Sequence, residues 1–282
     1  MDLPALALAF GVSVAPIAVP APSAVPVTTP ASPSAVYDSF GSPRTWDEAL
    51  SDFAIAKIVA VGESHDEASH HKLQAEVLTA LAARVPLAVA FEMVCYEDQA
   101  VLDAFMAGTT SEPDFAVWWK KNWGYDYSLY QPIFAAAKAA KVPAYGINAP
   151  IDVIRSVVKS GIGGLSPSDR ARLPASIQES ADIRYRDYVR DAVSGHGAPP
   201  AAVVRMIEAM SVWNETMGEK AAEIAAEGRS VLVIAGQGHV LFKAGLIESA
   251  ARRGAAPAKV LLPMSGAPEP DELALADWFR VP

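Results

Sequence analysis

Two short segments of this chain place a histidine three residues after a glycine: Gly62-Glu63-Ser64-His65 and Gly236-Gln237-Gly238-His239. Each directly follows a short apolar run, in a sequence that holds only five histidines. Glycine at the end of a strand lets the backbone turn out of a sheet and approach a ligand where a β-carbon would obstruct it. Two imidazoles, with the carboxylates of Glu63 and of Glu92 (which follows the apolar run 87–91), form a donor set for a metal or a metallated cofactor. The same four groups suit a metal-dependent or acid/base hydrolase of esterase or peptidase type. There Glu63 and Glu92 activate water, while His65 and His239 bind a divalent metal ion or take the proton. The residues alone serve either chemistry. With one cysteine, Cys95, an internal disulfide and a cysteine-rich zinc site are excluded, and Cys95 itself reads as a small packing residue.

Convergence of these groups demands a scaffold. Short apolar runs at 57–61, 87–91, 142–147, 231–235 and 259–262 predict strands, and helix-period segments near 67–84, 98–106, 128–140, 152–159 and 241–253 lie between them. Apolar strands separated by helices predict an α/β fold with a parallel-sheet core and helices on both faces. Ligands in such sheets bind at the carboxyl ends of strands, so His65, Glu92, Asn148 and His239 are expected to meet in one crevice. Residues 165–228 show no strand pattern. Their Tyr185, Tyr188 and Val189, then Ile207, Met210, Trp213 and Met217, recur at helical spacing and predict an α-helical insertion. On the helix after His65, His70 and His71 cannot both face the crevice, and His71 is assigned to it.

Composition narrows the partners. Lys and Arg number 23 against 32 Asp and Glu, a formal charge of −9 with a pI near 5.1, so no basic stripe is available to bind nucleic acid. Residues 1–43 are rich in proline and alanine, with only Asp2 and Asp38 charged. They read as a signal-like, disordered leader that adds nothing to the core, followed by a single domain over 44–282. The apolar stretch 3–19 is too short and too broken by proline to span a bilayer, and it implies export. His196 lies between glycines in an expected surface loop and is given no role.

The chemistry-bearing blocks occur in a fixed order: Val59-Ala-Val-Gly-Glu-Ser-His65, His70-His71, Phe91-Glu92-Met93 with Gln99, Trp123-Gly124, Tyr130-Gln-Pro132, Asn148-Ala-Pro150, Trp213-Asn-Glu-Thr-Met217 and Ala235-Gly-Gln-Gly-His239. In these blocks, over about residues 45–255, the chain resembles the ChaN family of haem-binding proteins. That family sits in a broader group with the Tiki proteases and the erythromycin esterases.

The resemblance implies haem (iron protoporphyrin IX) as cofactor, a homodimer enclosing cofacial haems, and a place in a bacterial outer-membrane haem-uptake system, in the periplasm or at the cell surface. No lipobox cysteine stands near residue 20, so a lipid anchor is not carried over. Asn214 occupies a position where aspartate is expected. A haem pocket needs an iron ligand, aromatic walls and cations for the propionates. The stretch 118–130, with three tryptophans, three tyrosines, Lys120 and Lys121, is expected to supply them. Tyr130 is the expected ligand, because Tyr-x-Pro opens a helix and places its phenol at the helix start. His65, His71, His239, Trp123 and Asn148 complete the expected haem site.

Overall fold

Along the strand Ile58–Glu63, Val59 and Val61 belong to one apolar cluster while Ile58 and Ala60 belong to another on the opposite side. The strand Ser230–Gly236 divides its side chains in the same way, with Leu232 and Ile234 on one side and Val231 and Val233 on the other. Strands apolar at every position are buried on both faces, which is the signature of a covered parallel sheet.

The computed structural model describes residues 35–194 and 199–282. The strands are β1 (Val36–Asp38), β2 (Pro43–Arg44), β3 (Ile58–Glu63), β4 (Leu87–Cys95), β5 (Ala144–Asn148), β6 (Ser230–Gly236), β7 (Ala258–Pro263) and β8 (Trp278–Arg280). They form one sheet in the order β2-β1-β8-β7-β3-β6-β4-β5. All pairs from β8 to β5 are parallel, and β1 pairs antiparallel with both β8 and β2.

The helices are α1 (Trp46–Ala54), α2 (Ala68–Ala82), α3 (Gln99–Met106), α4 (Glu112–Asn122), α5 (Tyr127–Ala140), α6 (Ile151–Ser160), α7 (Pro167–Arg170), α8 (Ile183–Ser194), α9 (Pro200–Ala226) and α10 (Leu246–Arg252). Residues of α1, α2, α4 and α5 fill one apolar layer, and residues of α8, α9 and α10 the other, so the expected α/β architecture is observed. The region 165–228 contains α7, α8 and the 27-residue α9. Among the described residues no helix is long and apolar enough to cross a membrane.

Two sequence expectations are corrected here. Residues 36–43, expected in the leader, supply β1, the turn after it and the first residue of β2, and Val36 is buried in the core. The cause is local chemistry. The Asp38 carboxylate accepts hydrogen bonds from the Phe40 and Ser42 amides and from Arg44 Nε, closing a tight turn that a search for apolar period does not see. The remainder of the expected leader, residues 1–34, lies outside the described residues, as does His196. The strand expected at 87–91 runs on to Cys95 across a register shift between Phe91 and Cys95, so Glu92 sits within β4 rather than after it. Gly146 permits that bulge, since a β-carbon there would come within 2.7 Å of the Cys95 carbonyl oxygen.

A chain beginning at Thr45 should therefore be less stable than the full chain. Losing the burial of Val36 alone removes roughly 1.5–3 kcal/mol, which lowers the thermal midpoint by at least about 3 °C in a domain of this size. Calorimetry of the two chains checks this, and equal midpoints would show that β1 adds nothing.

Candidate functional site

From β3 the chain crosses to β4 on one side of the sheet through α2, and from β6 it crosses to β7 on the other side through α10. β3 and β6 are neighbours in parallel register, with Glu63 opposite Gly236. Oppositely directed crossovers from adjacent strands open a crevice at their carboxyl ends. His65 and His239 follow β3 and β6 directly, so both arrive at this crevice from well-separated parts of the sequence.

A cavity of about 250 Å³ occupies it, lined by His65, Glu92 and His239. Trp118 on α4, Trp123 directly after it and Trp213 on α9 wall it, and Lys120 and Lys121 lie at the same lining. The Trp123 ring meets His65 edge-on at 4.9 Å between centroids, and the Trp213 ring meets His239 in the same manner at 6.2 Å. Gly236 makes the approach of the two strand ends possible: a β-carbon there would lie 2.8 Å from His65 Cε1.

Behind the cavity lies a buried polar network centred on Glu63. Side chains alternate along a strand, so Glu63 continues the Val59 and Val61 side of β3 and points under α2. Its Oε1 accepts from Tyr130 Oη at 2.6 Å and from His65 Nδ1 at 2.8 Å. Its Oε2 accepts from Gln74 Nε2 at 2.7 Å and lies 3.4 Å from His71 Nδ1. Burial would raise the carboxyl pKa, but the two imidazoles reverse that and hold it far below the usual carboxylate range. His71 faces only acceptors: the His65 carbonyl oxygen, Gln74 Oε1 and Glu63. Burial works against a charge on this ring, and Glu63 outweighs it, raising the His71 pKa. His65 shifts upward by the same balance, with burial opposed by Glu63 and Glu92.

Glu92 belongs to the cavity itself. Its Oε2 accepts from the Gly236 amide at 2.6 Å, and its Oε1 lies 3.3 Å from His239 Nε2. Burial would raise its pKa, yet His239, His65 and that amide together lower it, so it is a carboxylate.

Of the eight site residues expected from sequence, five line the cavity: His65, Glu92, Trp123, Asn148 and His239. Asn148 does so with its amide engaged elsewhere, Nδ2 donating to the Glu92 carbonyl at 2.7 Å and Oδ1 accepting from the Ala149 amide. Glu63, His71 and Tyr130 lie in the buried network instead. Tyr130 is fully buried between Trp119 and His71, and burial followed by Glu63 pushes its phenol well above its ordinary pKa, which keeps the proton on the oxygen. Sequence reasoning did not assign Trp213 or Met93 to the cavity wall. Cys95 also lines the cavity, and burial raises its thiol pKa to about 11, so it stays protonated at neutral pH.

The family described as haem-binding uptake, Tiki superfamily, ChaN matches residues 49–249. A solved structure of cofacial haem binding to ChaN of Campylobacter jejuni is similar at 17% identity, with a TM-score of 0.69 over 88% of this chain and 96% of that one. The type III effector HopBA1 is similar more weakly, at 13% identity and a TM-score of 0.49 over 83% of this chain and 90% of that one. No curated protein matches. At such identities a structural likeness shows the fold alone.

Proposed function

The chain belongs to the ChaN family of haem-binding uptake proteins in the Tiki superfamily, and from that premise we propose that its cavity binds haem for bacterial haem or iron uptake. One observation carries the reading. Two imidazoles whose Nδ1 atoms are engaged away from the cavity meet in a pocket walled by three tryptophans and bordered by two lysines. Those groups fit haem: His65 and His239 can offer Nε2 to iron, the indoles can pack on the macrocycle, and Lys120 and Lys121 can meet the propionates. Haem would supply the iron centre, and the protein supplies ligands, walls and counter-charge.

A pocket of about 250 Å³ is below the usual range of roughly 300–1,000 Å³ for an enclosing ligand site, so part of the macrocycle would stay outside it. A second copy of the chain bringing its own haem face to face would cover that part, in the manner of the cofacial haems of the Campylobacter jejuni protein. Export to the periplasm or cell surface, delivering to an outer-membrane uptake system, accords with the apolar segment 3–19 and with the family's uptake role.

The hydrolase reading keeps one specific support, the contact of Glu92 with His239 inside the cavity. Its other carboxylate, Glu63, has both oxygens occupied beneath the cavity. Among the described residues no group of three His, Cys, Asp or Glu is arranged to hold a bare metal ion.

An absorption titration with haemin, beside metal analysis of the same purified protein, tests the proposal. A saturable Soret shift is expected. A titration indistinguishable from that of an unrelated acidic protein would overturn it, and stoichiometric divalent metal with ester or peptide turnover lost in Glu92→Gln would favour the hydrolase.

A further inference from the structure

The hydrogen bonds behind His239 have a polarity that can be read from one end. The Gly238 carbonyl oxygen can only accept, and Tyr185 Oη lies 2.8 Å from it, so the single phenolic proton is committed there. Tyr185 oxygen must then accept from Asn214, 2.8 Å away, which turns the amide nitrogen Nδ2 toward the phenol. Asn214 Oδ1 consequently faces His239 Nδ1, at 2.8 Å. An amide oxygen only accepts. All three side chains are buried.

The backbone around this chain of bonds is equally constrained. The loop from His239 back to Gly245 passes through Phe242 and Lys243 at φ 61° and 58°, left-handed values that non-glycine residues seldom adopt. Phe242 is held there by the hydrogen bond its backbone amide donates to the Leu275 carbonyl oxygen and by the Arg184 guanidinium over its ring. At Gly245 a β-carbon would lie 2.5 Å from the His239 carbonyl oxygen and 2.8 Å from Tyr185 Oη, so glycine alone lets the loop close on the phenol.

We propose that Asn214 and Tyr185 are positioning residues that keep a proton on His239 Nδ1, leaving Nε2 as the only nitrogen of that ring able to serve as ligand or base. Glu92 Oε1, 3.3 Å from Nε2, competes for the same proton. If nothing accepted at Nδ1, the proton would move to Nε2 to reach that carboxylate, and the nitrogen facing the cavity would be blocked. The amide decides between the two. Where His65 is oriented by a carboxylate, His239 is oriented by a neutral amide, so the two imidazoles offered to the cavity are electronically unequal. The use of Nε2 as an iron ligand rests on the haem reading; the location of the proton does not.

Long-range proton–nitrogen correlation spectra of the unloaded full-length chain, labelled at histidine nitrogen, test this across neutral and mildly alkaline pH. The His239 signals are assigned by their absence in His239→Gln. A protonated Nδ1 is expected in the native chain and in Asn214→Asp. In Asn214→Leu the ratio of tautomers should move toward Nε2–H by at least roughly tenfold, the equivalent of one lost hydrogen bond. Tyr185→Phe, which keeps the ring and frees the amide to turn, should move it in the same direction by less and serves if the leucine variant does not fold. A bare Nδ1 in the native chain, or a ratio unchanged in the variants, would overturn the proposal. Haemin titration of the same samples reports on the haem reading alone, because the tautomer is read without ligand.

Discussion

Replacing Glu63 with alanine is expected to lower stability by about 3–5 kcal/mol, the cost of breaking a buried ion pair by removing one partner. The variant leaves the buried Tyr130 Oη, Gln74 Nε2 and the Nδ1 atoms of His65 and His71 without their shared acceptor. Its pH dependence should also change. In the native chain the His65 and His71 pKa values are raised from 6.5, so their stabilisation is present in full below 6.5 and is lost as pH rises through the raised values. Glu63, lowered from 4.5, contributes above 4.5 and loses its contribution as pH falls toward its folded value. These three groups therefore stabilise the native chain increasingly as pH falls through the raised values to 6.5, and hold that stabilisation in full from there down to 4.5. Without Glu63, burial is left as the dominant influence on His71 and pushes its pKa below 6.5. The variant then loses stability as pH falls below 6.5, where the native contribution of this ring is held in full, because its unfolded state binds the proton more readily. Urea denaturation on either side of pH 6.5 checks both claims. A parallel pH trend in the two proteins would show that Glu63 does not raise the His71 pKa.

Much of this network was within reach of the sequence. Val59, Val61 and Glu63 share strand parity, so once β3 is extended by two residues Glu63 must face the layer beneath α2. Ending the expected strand at Val61 put Glu63 in a loop and hid this. Tyr130, Ile133, Phe134 and Ala137 fall at helical spacing on the buried side of α5. That periodicity places Tyr130 in the core, against the local reading that a phenol at a helix start opens to a site. His71, Gln74, Leu78 and Leu81 repeat the pattern on α2 and send His71 toward the sheet.

The five strands β3 to β7 and the convergence of His65, Glu92, Asn148 and His239 followed from apolar runs and from what stands at their ends. The Thr45-x-x-Glu48 capping box that starts α1 was also a legible signal, and it was not used. The antiparallel edge was not legible in the same way. β1, β2 and β8 are two or three residues long, too short for any period, and are held by Asp38 and by pairing between chain segments more than 200 residues apart. The Tyr185–Asn214–His239 chain joins three separate elements, so no local spacing encodes it.

The larger functional effect is expected from the two cavity imidazoles. If His65 and His239 hold the iron, the double variant His65→Ala/His239→Ala should bind haemin at least roughly 100-fold more weakly, since losing an outer partner of a metal ligand already costs 10–100-fold. The single variants should be unequal. His65 Nδ1 donates to a carboxylate, which makes its ring the more basic and the stronger donor to ferric iron, whereas His239 Nδ1 donates to an amide. His65→Ala should therefore weaken binding more than His239→Ala. Glu63 keeps its bonds from Tyr130 and Gln74 in the His65 variant, so the fold should survive for the comparison. Haemin titrations beside thermal melts of the three proteins separate ligation from stability. A double variant that is folded and binds haemin with an unchanged Soret band would remove both histidines from the iron and pass the role to a phenol. Tyr125 is then the next group to test, because its ring lies 5.2 Å from that of His65 and is half-buried, whereas Tyr130 has its oxygen committed to Glu63.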